Sequence, residues 1–180
     1  MRLSAALALS AVSGAALLLA GCAEEPLPLA PTGPPPMVEP AGPADFNPAD
    51  FAWSTEPGTA AIVGVLAFGG GAARYVCNDV ILTPDTPWVR RRMLVLYGSA
   101  TAADVPTDIV QARTASAPSA DYRRFAKKTS CDGANRFAFD GLPPGGWYVI
   151  TLAKPLGGGG SVAVMRRVET RLGQRSITLN

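Results

Sequence analysis

The acidic residues are the first candidates for chemistry, because the chain contains no histidine. The commonest general base and the commonest metal ligand are therefore both missing. Asp79 and Asp85 flank a short apolar run and could form a carboxylate pair in a hydrolase. Four of the eight acidic residues after residue 58 stand beside Gly, Pro or Asn, where aspartate commonly shapes a turn. We predict a protein without catalytic residues and keep a hydrolase site near Asp79 and Asp85 as the alternative.

Motifs of other enzyme and cofactor-binding classes are also missing. The sequence has no G-x-S-x-G elbow, no P-loop and no metalloprotease helix. The glycine run at residues 157–160 precedes no helical pattern, so it lacks the helix N-terminus that holds a phosphate. Two cysteine thiolates without a histidine cannot complete a tetrahedral metal shell. We predict no metal and no cofactor.

The first 22 residues have the features of an export signal. Arg2 is followed by an apolar run at residues 3–20 and by Leu-Ala-Gly-Cys at residues 19–22. A secretory signal combines a basic start, a short apolar segment and small residues at the cut. A transmembrane anchor is the alternative, which the Ala and Ser content and the Pro-rich segment that follows disfavour.

Leu-Ala-Gly-Cys resembles the bacterial lipobox. This resemblance implies that residues 1–21 are a lipoprotein signal peptide and that Cys22 carries fatty acyl chains such as palmitate. Two or three acyl chains hold a protein firmly at a bilayer. Ala23 replaces the aspartate associated with the inner membrane, so we expect the outer membrane, on its periplasmic side.

The other two cysteines, Cys77 and Cys131, form an even pair in a chain predicted to enter an oxidising compartment. We expect a disulfide between them, with two buried free thiols as the alternative. On the chain-entropy model, a bridge closing a loop of this length would contribute about 4 kcal/mol.

Residues 23–57 contain ten of the 17 prolines, six acidic residues and no lysine or arginine. Such a segment buries too little apolar surface to offset its ordering entropy. We predict a disordered, partly polyproline II tether over residues 22–57, with a reach of up to roughly 100 Å. Phe46, Phe51 and Trp53 stand out in it. We expect them to dock on the folded domain or to lie exposed, and a partner-binding motif is a third interpretation.

From Gly58 onward, β-branched runs broken by Gly and Pro predict an all-β domain over residues 58–180. Its predicted centre is a hairpin at residues 136–151, with a turn made of Pro and Gly. Alternation places Phe137 and Phe139 on one face of the first strand. In the second strand it places Trp147, Val149 and Thr151 on one face and Tyr148 and Ile150 on the other.

The remaining strands follow from shorter apolar runs. They are predicted at residues 59–68, 80–82, 88–98, 161–169 and 176–179, which gives a seven-stranded immunoglobulin-like β-sandwich. We predict a long loop at residues 99–120, with a short helix near residues 107–113. Residues 122–128 fit either a helical turn or an irregular strand.

Three motifs occur in order: V-x-L-x-P at residues 80–84, D-G-x-x-x-F-x-F at 132–139 and L-P-x-G-x-W-Y at 142–148. This order resembles the carboxypeptidase regulatory-like, or transthyretin-like (prealbumin-like), β-sandwich. The resemblance implies an accessory domain that serves folding, docking or the binding of carbohydrate or protein, and that carries no catalytic residues. The segment at residues 99–120 has no counterpart in that pattern.

Charge divides the chain into an acidic tether and a basic domain. Residues 58–180 carry fifteen basic and eight acidic residues, a net charge of +7. One interpretation is that the basic residues are solvated on strand faces, and the other is that they form a patch for phospholipid head groups or an acidic glycan. The patch would comprise Arg90, Arg91, Arg92, Arg123, Arg124, Lys127, Lys128, Arg166 and Arg167.

Together these features predict an envelope lipoprotein held at the membrane by the lipid on Cys22. Its folded domain would act as a non-catalytic binding or structural module for a protein or a glycan. Nucleic acid is not an expected partner in this compartment. Besides the hydrolase, an adhesin subunit that binds anionic surfaces remains an alternative.

Overall fold

Two β-sheets pack face to face, and helices cover the outer face of the larger sheet. The computed structural model describes residues 45–69, 74–171 and 173–180. The strands are β1 (Ala60–Leu66), β2 (Tyr75–Val76), β3 (Asp79–Pro84), β4 (Ala102–Pro106), β5 (Lys127–Ser130), β6 (Arg136–Leu142), β7 (Gly145–Pro155), β8 (Val162–Thr170) and β9 (Gln174–Leu179). The helices are α1 (Pro87–Tyr97) and α2 (Thr107–Thr114), with 3₁₀ helices at Pro48–Thr55 and Arg123–Phe125.

The small sheet has the strand order β6-β1-β9, and the large sheet has the order β4-β8-β7-β3-β5, with β2 pairing to β7. Strand β9 runs parallel to β1, whereas β6 runs antiparallel to it. The two-sheet architecture that we predicted is confirmed. The described residues nevertheless form nine strands instead of seven, and the helices add a third layer to the expected all-β sandwich.

The main core lies between the two sheets. Strand alternation turns one face of each strand toward it. Fully or nearly fully buried side chains fill this space: Ile62, Leu66, Val80, Leu82, Phe137, Phe139, Leu142, Trp147, Val149, Val164 and Leu179. Gly64 lies beneath the Phe137 ring, where an added Cβ would stand 2.2 Å from Cζ. The missing side chain at Gly64 is therefore required by close packing.

The predicted central hairpin is wrong, because its two strands belong to different sheets. Within the described chain, β6 pairs with β1, whereas β7 pairs with β2, β3 and β8. The connection at residues 143–144 crosses from one sheet to the other. The predicted faces are nevertheless confirmed, since Phe137 and Trp147 meet in the core between the sheets. Inward alternation looks the same in sequence whether two strands pair or face each other.

The strand predicted at residues 88–98 is also wrong, because this segment forms helix α1. The Thr86 hydroxyl caps the helix by accepting a hydrogen bond from the Val89 N–H at 3.2 Å, and Pro87 occupies the first turn. Gly98 ends the helix with φ 73°. Trp88, Val89, Met93, Leu96 and Tyr97 form its buried stripe, which follows helical periodicity.

The segment at residues 99–120 is more ordered than predicted. It contains the expected helix, α2, but also the edge strand β4, which we did not predict. Both interpretations of residues 122–128 are partly right, since the 3₁₀ helix Arg123–Phe125 leads into β5.

The end of the predicted tether is folded, so the prediction of disorder was wrong for Pro48–Thr55. Phe51 is completely buried and stacks on Phe125 with ring centroids 4.7 Å apart. Trp53 packs edge-to-face on Trp147, with ring centroids 5.0 Å apart. Docking of the aromatic residues is therefore the correct alternative. Residues 1–44, including Cys22, lie outside the described residues. In the described part of the chain, no helix is long and apolar enough to cross a membrane.

Candidate functional site

Asp79 and Asp85 do not come together. They lie at opposite ends of β3, about 20 Å apart along the strand. Asp79 pairs with Lys128 at 3.0 Å, and both side chains are exposed to solvent. The geometry therefore does not form the carboxylate pair on which the hydrolase alternative depends.

Asp85 instead links helix α1 to strand β8 through ion pairs. Its side chain is 1% exposed, and it accepts hydrogen bonds from Arg167 at 2.6 Å and from Arg90 at 3.0 Å. These hydrogen bonds raise the pKa of both arginines above its ordinary value. Burial, followed by the charge of Asp85, raises the pKa of neighbouring Tyr148 to about 12. The cluster connects helix α1 to β8, and all its members have partners, which indicates a structural role.

The nine basic residues of the predicted patch are dispersed. Consecutive residues of a strand point to opposite faces, so Arg166 and Arg167, like Lys127 and Lys128, cannot share one surface. Four of the nine are held in ion pairs: Arg90 and Arg167 with Asp85, Arg166 with Asp104, and Lys128 with Asp79. Arg124 lies over the Phe125 ring at 4.7 Å, and Arg92 donates to the carbonyl of Pro118. The nine residues therefore do not form one continuous basic patch.

The outer face of the small sheet holds an open depression of about 850 Å³. Because Phe137 and Phe139 point into the core, Arg136 and Ala138 on the same strand point outward. Strand register extends this outward face into two rows about 7 Å apart. One row is Val65, Arg136 and Thr178, and the other is Val63, Ala138 and Ser176. We call this depression, with Ser130, Cys131 and Asp132 at its side, the open groove.

The β5–β6 loop forms one wall of the open groove and is firmly held. The predicted disulfide is confirmed: Cys131 is bonded to Cys77, with the two Cα atoms 5.9 Å apart. The Cys131 N–H donates to the Asn78 carbonyl at 2.8 Å. Asn135, at φ 60°, donates to the Tyr75 carbonyl at 2.8 Å and accepts from the Cys77 N–H at 3.2 Å. A wall fixed in this way loses little conformational entropy when a ligand binds.

Asp132 and Arg136 form an ion pair at the end of the open groove. Arg136 Nε donates to Asp132 Oδ2 at 2.9 Å, and the backbone N–H groups of Arg136 and Ala134 donate to Oδ1 at 2.8 and 2.9 Å. These bonds, led by the Arg136 backbone N–H, hold the pKa of Asp132 below its ordinary value. Asp132 is therefore ionised at neutral pH, and its carboxylate orients the Arg136 guanidinium.

The open groove was not among the sites that we predicted from the sequence. Beside Gly133, Asp132 has the sequence context of a turn residue, and no sequence motif indicates a function for Arg136. A signal existed in the small alternate residues of β1 and β9, but only strand register places them beside Arg136. Within the described ranges, no group of three or more His, Cys, Asp or Glu residues is placed to hold a metal ion.

No protein-family model matches the chain, and no curated protein matches it. Among solved structures, the fold is similar to the crystal structure of a Pseudomonas aeruginosa protein described as a "putative carbohydrate binding protein". The match has a TM-score of 0.53 and 20% sequence identity, and it covers 75% of this chain and 97% of the other. This similarity shows the fold alone. The open groove has to be judged by its own residues.

Proposed function

We propose that the chain is a non-catalytic module that binds glycans, with the open groove as its binding site. The chemistry of the open groove carries this proposal. Val63, Val65 and Ala138 offer an apolar floor for the C–H faces of sugar rings, and Ser176 and Thr178 offer hydroxyls for hydrogen bonds. The description of the structurally similar P. aeruginosa protein supports the same ligand class.

The open groove fits binding better than cleavage. Most glycoside hydrolases use a pair of carboxyl groups that flank the scissile bond. Among the described residues that line the open groove, Asp132 is the one carboxylate, and it is already engaged by Arg136. A hydrolase site at Asp79 and Asp85 would need two groups that the fold holds far apart.

A glycan array probed with the purified chain tests this proposal, with isothermal titration on any glycan that binds. Ala138→Glu should weaken binding at least about tenfold, because the longer side chain occupies the floor. Ala102→Glu is the matched control, since Ala102 is exposed on β4 of the other sheet. Absence of binding to every glycan, or equal loss in both variants, would contradict the proposal.

We further propose that the chain is lipid-anchored through Cys22, at the outer membrane and facing the periplasm. The Leu-Ala-Gly-Cys sequence supports this location. Because Pro48–Thr55 packs on the domain, a polyproline II leash could use only the residues before Asp45, which reduces its expected reach to roughly 70 Å. Cys22→Ser should move the protein out of the membrane fraction, and retention there would be evidence against the anchor.

The resemblance to the carboxypeptidase regulatory-like domain is part of the same proposal. It supports an accessory role and agrees with a two-sheet sandwich. The helical layer built by residues 87–125 is a departure from the pattern that suggested the resemblance.

A further inference from the structure

The guanidinium of Arg136 is held in one orientation and still has hydrogen-bond donors available for a ligand. Its side chain is 71% exposed, and its Nε is held by Asp132 at 2.9 Å. Within the part of the chain that the structure describes, its terminal nitrogens Nη1 and Nη2 have no hydrogen-bond partner. Arg136 therefore presents two N–H donor groups beside the floor of the open groove.

The position of this guanidinium is set by rigid elements. Asp132, which holds it, is itself fixed by two backbone N–H donors, and the preceding Cys131 is covalently bound to Cys77. An arginine whose Nε is already bound keeps a planar edge for a second acceptor. Such an edge suits a carboxylate, which can accept two parallel hydrogen bonds.

We infer that the open groove selects acidic glycans and that Arg136 receives the carboxylate of a uronic acid residue. This inference rests on the proposed function and specifies its ligand class. The neighbouring row, with Val63, Ala138 and Ser176, lies about 7 Å away along the strands and receives the adjoining part of the sugar chain. The net charge of +7 over residues 58–180 favours the approach of a polyanion.

Recognition in this geometry depends on directed hydrogen bonds more than on local charge. Asp132 offsets the charge of Arg136 within the open groove, and no other acidic or basic residue lines it in the described chain. The preference for acidic glycans should therefore depend on the shape and donors of the guanidinium.

Titration calorimetry with short oligomers of glucuronic, mannuronic and galacturonic acid tests the inference. Each oligomer is paired with its carboxyl-reduced, neutral form of the same length. The best acidic oligomer should bind at least about tenfold more tightly than its neutral form. Arg136→Gln should abolish this difference, whereas Arg171→Gln, at an exposed position just after β8 and outside the residues that line the open groove, should preserve it.

The outcomes distinguish the two proposals. Equal binding of acidic and neutral oligomers, or a preference unchanged in Arg136→Gln, would refute the carboxylate contact and leave glycan binding standing. Absence of binding to all acidic and neutral oligomers would refute the proposed function together with this inference. A melting temperature for Arg136→Gln close to that of the parent protein shows that any loss of binding is local.

Discussion

The two sheets differ in what their outer faces carry. On the large sheet, Tyr148, Ile150 and Met165 point away from the main core, and helix α1 covers them together with Phe46 and Phe51. On the small sheet, the apolar outward residues are small, such as Val63, Val65 and Ala138, and in the described chain no helix lies over them.

This difference follows from the free energy of burial. Burying a large apolar side chain contributes about 1.5–3 kcal/mol, so a face rich in such residues favours a cover. A face of small apolar and hydroxyl residues can remain in water at little cost in free energy, because it exposes no large apolar patch. The covered face is therefore expected to hold the fold together, and the bare face is available to a ligand.

The largest expected effect is on the covered face. Phe51→Ala should lower the free energy of unfolding by roughly 3–5 kcal/mol, because it removes a fully buried ring that stacks on Phe125. Urea denaturation measures the loss. Ala52→Ser, an exposed change on the same 3₁₀ helix, should alter stability by less than about 0.5 kcal/mol.

Deletion of residues 45–54 tests how much the whole docked N-terminal segment contributes to stability. It should lower the melting temperature, since it removes all three docked aromatic residues. An unchanged melting temperature would show that the cover contributes nothing to stability and would end the contrast between the two faces.

The disulfide beside the bare face should have the next largest effect. Replacing Cys77 and Cys131 together by alanine should cost about 4 kcal/mol on the chain-entropy model, because the bridge spans a sequence separation of 54. It should also weaken glycan binding, since the wall that carries Asp132 loosens. Reducing agent should destabilise the parent protein and leave the double variant unaffected; an effect on both would point to a cause other than this bond.

A smaller effect should show that the N-terminal segment containing Trp53 is energetically coupled to the main core. Gly145→Ala should cost about 1–3 kcal/mol, because its Cβ would stand 2.3 Å from Cζ3 of Trp53. In a Trp53→Ala background the penalty should shrink, which a double-mutant cycle measures. Gly157→Ala, where an added Cβ meets no atom within 4 Å, is the matched control. Additive effects of the two changes would argue against the coupling.

The smallest effect concerns pH at the bare face. The pKa of Asp132 is lower in the folded protein than in the unfolded chain, so its stabilising contribution is present above the unfolded pKa. That contribution is lost as the pH falls through the lowered folded value. Asp132→Asn should therefore be less stable than the parent protein at pH 6, and the gap should close in strong acid. A carboxyl NMR titration midpoint for Asp132 at or above 3.8 would contradict this.

The helix α1 could have been predicted from signals that the sequence contains. Thr86 and Pro87 form a helix start, and Gly98 is a helix end. Between them, the buried residues recur at helical spacing. The apolar run at residues 93–97 favoured a strand because it is apolar at consecutive positions, a pattern that periodicity alone assigns poorly in short segments.

The open groove could not have been predicted in the same way. Arg136 and Thr178 are far apart in sequence and share a row only because both strands pair with β1. The sequence did identify Cys77 and Cys131 as a pair, since their number and the predicted compartment favour a bond.

The sequence by itself determined which side chains of β6 and β7 point inward, because alternation is a local property of an extended chain. It also placed the reversal after Leu142, where Pro143 and Pro144 interrupt strand pairing. Only the tertiary structure decided that β6 and β7 belong to different sheets and that the helices cover one outer face. Both outcomes depend on hydrogen bonds and contacts between residues distant in the chain, which local patterns do not encode.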